Sequence, residues 1–91
     1  MSARDSASSE SRLRRLRWRC RRGTRELDAL LGGWLETHAT GADEAILEAF
    51  DRLLDQTDPD LWDWLTGHMP PPRANWRAIV AQIRSSTRME A

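Results

Sequence analysis

Lysine is missing from this 91-residue chain, and so is tyrosine; all fourteen basic residues are arginine. The simplest cause of that bias is the codon usage of a GC-rich genome. Selection for the guanidinium's fixed fork of donors is not needed to explain it. The single cysteine, Cys20, excludes an intramolecular disulfide framework and a cysteine-rich metal site. No apolar run approaches the roughly 20 residues that cross a bilayer, so no membrane insertion is expected. Glycine-rich phosphate motifs are absent. Serine falls mostly towards the two ends of the chain, which does not indicate a Ser-His-Asp arrangement. His38 and His68 are far apart in sequence, with no third ligand at metal spacing. No nucleophile, base and metal set converges, so an enzyme is the least favoured class.

The length suits one small domain with a modest core, and is too short for two. Apolar residues make up 40% and charged residues 31%, as in an ordinary globular protein. Five tryptophans are many for this length, and tryptophan serves both cores and interface hot spots. The formal net charge of zero hides an asymmetry. Residues 1–25 carry a net +7, residues 26–63 a net −10, and residues 64–91 a net +3. Either the basic end and the acidic middle neutralise each other in the fold, or they present separate patches to a partner.

Residues 1–10 are small and polar without periodicity and read as a disordered leader ahead of a domain over 11–88. Asp5 and Glu10 argue against a transit peptide. The Arg14-Arg15 pair has no following apolar segment and so does not read as an export signal. A first helix is predicted from Ser11 to Arg22, with Leu13, Leu16 and Cys20 on one face and Gly23 ending or bending it. Leu27, Leu30, Leu31, Trp34 and Leu35 mark a second, core-facing helix. Within it, Gly32 and Gly33 permit either a close neighbour or a kink. A capping box of Thr40 and Asp43 leads into a third helix carrying Ile46, Leu47, Phe50, Leu53 and Leu54, ending near Gln56. Asp58 as N-cap and Pro59 open a fourth helix, with Leu61, Trp62 and Leu65 inward and Trp64 turned elsewhere. Gly67 stops it, and Pro70 to Pro72 form a stiff connector. A last helix from about Arg73 carries Trp76, Ile79, Val80 and Ile83, with Arg84 and Arg88 suiting its C-terminal dipole. No segment alternates with period two, so the predicted fold is all-α: a small five-helix bundle in a single domain.

Several residues invite both a chemical and a plain reading. Cys20 sits among arginines that could activate a thiolate, but a small reduced core residue is the simpler assignment. The basic first helix could address phosphates, a protein partner, or only the acidic middle of its own chain. No DNA-binding motif accompanies it, and the acidic remainder would repel phosphate. Arg22 and Glu26 are four apart and would form a routine surface pair within a continuous helix. If Gly23 breaks the helix, Arg22-Gly23-Thr24-Arg25-Glu26 becomes a compact corner. There Gly23 admits a second backbone, while Arg22 and Glu26 offer a fork of donors beside an acceptor, which suits a polar protein surface.

The segment Trp18-Arg19-Cys20-Arg21-Arg22-Gly23-Thr24-Arg25-Glu26-Leu27-Asp28 resembles the Arg-Gly-x-x-Glu segment of the succinate dehydrogenase FAD assembly factors. Asp58-Pro59-Asp60-Leu61-Trp62-Asp63-Trp64-Leu65 resembles that family's second signature. The intervening Phe50, Arg52, Leu53 and Leu54, and the final Ile-Val-x-x-Ile-Arg helix, follow in the same order, and the likeness covers about residues 11–86. It implies a small five-helix assembly factor of the bacterial cytoplasm, a chaperone and not an enzyme. Such a factor would bind the flavoprotein subunit of succinate dehydrogenase, or of fumarate reductase, and promote covalent FAD attachment to it. By that resemblance Arg22, Gly23 and Glu26 contact the flavoprotein, with Arg15, Trp18 and Asp28 flanking them. The Asp58–Leu65 segment would be structural, with Leu61, Trp62 and Leu65 in the core. FAD would belong to the partner, and this chain would hold no tightly bound cofactor or metal. A monomer that binds neither nucleic acid nor membrane is expected. The alternatives are an antitoxin-like regulatory module or a small arginine-rich nucleic-acid binder. Salt-sensitive binding would mark the latter.

Overall fold

Along the first helix, arginine and leucine fall at spacings that give each side of it a different neighbour. The structure is a computed structural model and describes the backbone of residues 2–88 and the side chains of residues 10–86. Helix α1 spans Ser2–Arg19. Leu16 on α1 and Cys20 just beyond it are buried, and Leu13 packs at the edge of the same core. The sequence places a leader over residues 1–10, whereas helical backbone runs back to Ser2. Residues 2–10 hold no glycine or proline to interrupt a helix growing from its apolar end. Met1, also assigned to that leader, lies outside the described residues.

Helix α2 spans Arg25–His38 and buries Leu27, Leu31, Trp34 and Leu35. A Cβ at Gly32 or Gly33 would meet nothing within 4 Å, so of the two readings the close neighbour is not what these glycines accommodate. Helix α3 spans Glu44–Leu53 and buries Ala49, Phe50 and Leu53, with Leu54 following; Ile46 is turned outward. Its N-cap is Asp43, which makes no side-chain cap bond. The Thr40–Asp43 box is therefore not formed. The helix starts three residues later than that box requires, which places Thr40 outside it.

Helix α4 spans Asp58–Thr66. Its N-cap is Thr57 and not Asp58: the Thr57 hydroxyl accepts the Asp60 N–H at 3.4 Å, and Asp58 and Pro59 occupy the first turn. The inward face is Leu61, Trp64 and Leu65, and Trp62 is 39% exposed. This reverses the assignment of the two tryptophans. Positions 61, 64 and 65 share a face at i, i+3 and i+4, while position 62 is rotated by about 100° from 61. Gly67 closes the helix in the left-handed region at φ +85°, donating to the carbonyls of Asp63 and Trp64.

Helix α5, Ala74–Arg88, packs against α2, α3 and α4, and α1 lies against α2. Trp76, Ile79, Val80 and Ile83 point into the centre. The Trp34 and Phe50 rings stack at 4.5 Å, and the Trp34 indole N–H donates to Gln82 Oε1 at 2.8 Å. Among the described residues all regular structure is helical, in five elements, as the periodicity predicts.

Part of the charge asymmetry is paired off inside the molecule. Arg12 pairs with Glu44, Arg15 reaches Asp51 at 3.5 Å, and Arg19 pairs with both Asp51 and Asp55. These arginines, at i, i+3 and i+7, form a stripe of α1 that faces the acids of α3 and of the turn after it. Burial works to lower the Arg19 pKa, and Asp55 and Asp51 outweigh it, so the guanidinium is held above its ordinary value. An exposed pair alone contributes about 0–1 kcal/mol. In series the pairs also fix the register of α1 on α3.

Candidate functional site

The corner between α1 and α2 is made by one residue that can turn left-handed. After Arg19 the Cys20 N–H still bonds the Leu16 carbonyl at 3.1 Å, and the Arg21 N–H bonds that of Trp18 at 3.1 Å. Gly23 then adopts φ +91°, where residues with a Cβ are strained. A Cβ there would meet nothing within 4 Å, so the glycine is demanded by backbone conformation and not by crowding within the chain. Thr24 is extended at the N-cap of α2 without a side-chain cap bond. Asp28 takes up a neighbouring donor instead, its carboxylate accepting the Arg22 N–H at 2.6 Å.

Arg22 does not meet Glu26. Its side chain turns inward and is 17% exposed. Nε donates to Asp58 Oδ1, Nη1 to the Leu54 carbonyl and Nη2 to the Gln56 carbonyl, each at 2.8 Å. A planar guanidinium with five N–H groups can serve three acceptors in one plane; an ammonium cannot. Arg22 thus clamps the corner to the connection between α3 and α4. The two segments singled out in the sequence are joined by this side chain.

Glu26 stands apart from that clamp. Its side chain is exposed and makes no ion pair or hydrogen bond among the described residues. It lines two adjoining depressions, and so does Trp62. One, of about 450 Å³, also takes in Thr24, Leu27, Asp58 and Pro59. The other, of about 500 Å³, runs over Ala29, Leu30 and Leu65 to Thr66 and Arg84. The two sequence signatures therefore share one surface. Sequence reasoning missed Trp62, Thr24 and Pro59 as its lining. The available signal was that Trp62 falls off the 61/64/65 stripe.

The flanking candidates divide. Asp28 is half-buried and shapes the corner as described. Arg15 is well exposed beside Asp51. Trp18 is 73% exposed, the most open of the large apolar side chains among the described residues. Arg14, Arg17 and Arg21 share its outward side of the chain and have no acidic partner among the described residues. Cys20 is buried, and desolvation pushes its thiol up to about 11, with the nearby guanidiniums only partly offsetting this. Arginine neighbours therefore do not activate it. His38 stacks on Trp34, and His68 lies beside the Thr66 hydroxyl at 2.6 Å. Among the described residues no three metal-ligating side chains are grouped to hold an ion, and no helix is long and apolar enough to cross a membrane.

Residues 14–87, which include both signatures and the surface between them, match the protein family described as flavinator of succinate dehydrogenase. The chain is 41% identical to a FAD assembly factor SdhE of Coxiella burnetii over 71 residues, 78% of this chain and 87% of that protein. It is 46% identical to one from Legionella pneumophila, over 78% of this chain and 89% of that protein. A third, from Xylella fastidiosa, is 42% identical over 73 residues, 80% of this chain and 75% of that protein.

Proposed function

We infer the function from a single premise: this chain belongs to the flavinators of succinate dehydrogenase, and it is an assembly factor that supports flavinylation. We propose that it binds the flavoprotein subunit of succinate dehydrogenase, or of fumarate reductase, through the α1–α2 corner. We further propose that it acts in the bacterial cytoplasm as a monomer. FAD is then the partner's group, attached to the partner's own side chain, and this chain works by binding alone.

One observation carries the placement of the site. Glu26 is a carboxylate without a partner at the point where the two signature segments meet, while Asp28, Asp51, Asp55 and Asp58 nearby are each engaged by an arginine. A partner's donor approaching the corner therefore finds in Glu26 a carboxylate that no side chain among the described residues engages. Gly23 leaves the surface beside it open. Arg22 would act by holding the corner in shape, and Asp28 with it. Arg15 and Trp18 would extend the contact along α1.

Such a factor promotes attachment only by binding the attachment-competent conformation of the flavoprotein better than the alternatives. Deleting the gene in its own host and reading in-gel flavin fluorescence of the denatured flavoprotein tests both role and site. Loss of the covalent flavin band is expected, restored by the wild-type chain and not by Glu26→Ala. Full restoration by Glu26→Ala would remove the site from the corner, and an unchanged band in the deletion strain would remove the role in that host.

A further inference from the structure

The family reading leaves unused the apolar groove that leads away from Glu26 between α2 and α4 towards α5. Its floor and walls are Ala29, Leu30, Leu65 and the exposed ring of Trp62. Glu26 joins it to the depression at the corner, and Arg84 borders it on the side of Gly67. Few polar groups converge in it to orient a small molecule, which argues against an enclosed ligand site. Apolar contact is available along the groove, and charge is available at its edges.

We propose that this groove receives a segment of the flavoprotein in which an apolar side chain lies next to a lysine or arginine. This rests on the reading that the corner faces that subunit. The apolar side chain packs on Trp62, Leu30 and Leu65. The cation pairs with Glu26 and lies beside the Trp62 indole, whose face also attracts a cation. Charge complementarity selects this occupant at the corner end of the groove, where Glu26 stands; Arg84 lines the groove but not the corner depression. Glu26 is the carboxylate shared by both depressions, and Asp58, the other acid lining them, is already held by Arg22. An acidic segment would meet Glu26 with like charge, and a wholly apolar one would leave that carboxylate desolvated without a partner.

The test uses the full chain with the flavoprotein subunit of its own organism. A photoreactive phenylalanine analogue at position 62 should cross-link to a flavoprotein peptide that has an apolar residue adjoining a lysine or arginine. Trp62→Glu should weaken binding about tenfold or more, as expected for a central aromatic contact, while Trp62→Phe stays within about threefold of wild type. Circular dichroism of Trp62→Glu establishes that it is folded. Binding of Trp62→Glu within twofold of wild type would overturn the groove and leave the corner standing if Glu26→Ala still fails to bind. A cross-link to a second copy of this chain, or to a peptide without a basic residue, would also overturn it. If the wild-type chain forms no complex with the subunit, the groove and the functional reading both fall.

Discussion

Within the Arg-Gly-x-x-Glu segment Arg22 is clamped inward and Glu26 stands exposed, and a pair of substitutions separates the structural duty of the first from the binding duty proposed for the second. Arg22→Ala removes three side-chain hydrogen bonds of 2.8 Å, to Asp58, Leu54 and Gln56. Bonds to charged groups contribute about 1.5–3 kcal/mol each when the remaining partner is left unsatisfied in the interior. Here water can reach Asp58, which is 42% exposed, so the loss falls well below the sum of three. A cost of about 2–4 kcal/mol follows, which lowers the melting temperature of a domain this size by about 10–20 °C. Glu26→Ala removes an exposed side chain without a partner and should change stability by no more than about 0.5 kcal/mol. Arg22→Lys keeps the charge but cannot serve all three acceptors, and should recover less than half of the loss. Thermal unfolding followed at 222 nm, with flavoprotein binding measured on the same samples, reads both duties. Arg22→Ala should lose stability and binding together; Glu26→Ala should lose binding alone. Equal melting temperatures for the two variants would refute the clamp.

Other perturbations follow from the same geometry. Trp64→Ala should cost about 3–5 kcal/mol in urea unfolding because it truncates the core, whereas Trp62→Ala should cost about 1 kcal/mol or less; equal costs would contradict the observed face of α4. Gly23→Ala should cost about 1 kcal/mol through its left-handed backbone alone, and Gly23→Asn less, since nothing crowds the position; a larger loss in denaturant melts would point to a hidden contact. Cys20 gives a clean alkaline signature, because a chain without lysine or tyrosine has no other side chain that ordinarily titrates there. Its thiol ionises near its ordinary 9.0 when unfolded and near about 11 when folded, so stability is fully present below pH 9 and should fall by about 2–3 kcal/mol as pH rises through that window. Cys20→Ala should flatten the profile, and an unchanged slope would exclude burial of the thiol as its cause.

What the sequence made legible was whatever periodicity governs. Apolar residues at i, i+3 and i+4 announced five helices, and most of their inward residues, from Leu16 through Phe50 to Ile83, lie where that spacing puts them. The errors came where one position's neighbours decide. Trp62 and Trp64 are both large and apolar, and only strict angular counting from Leu61 separates them. Thr57 and Asp58 are both good N-caps, and the hydroxyl holds the position while Asp58 is drawn to Arg22. The corner was foreseen as one of two outcomes for Gly23, yet its internal wiring was not. Arg22 reaches residues more than thirty positions away, and no local pattern reports a contact of that range.

The same contact explains how a strongly divided chain leaves so specific a surface. The basic end and the acidic middle could have made two opposed patches. Instead Arg12, Arg15, Arg19 and Arg22 are used against Glu44, Asp51, Asp55 and Asp58. Each such pair cancels its own contribution beyond about a Debye length, so both blocks project less field than their formal charges imply. Two groups left without an ion pair among the described residues lie beside exposed tryptophans: Arg14, Arg17 and Arg21 on the side of Trp18, and Glu26 beside Trp62. A broad patch would attract any polymer of opposite sign. A single acceptor beside an aromatic ring discriminates by position, since a cation misplaced by a few ångströms loses the pair and its desolvation is left uncompensated. Under the proposed function the arginine clamp is therefore a condition of specificity. By engaging Asp58 it leaves Glu26 as the unpaired carboxylate of the corner, the acceptor that the proposed docking would satisfy.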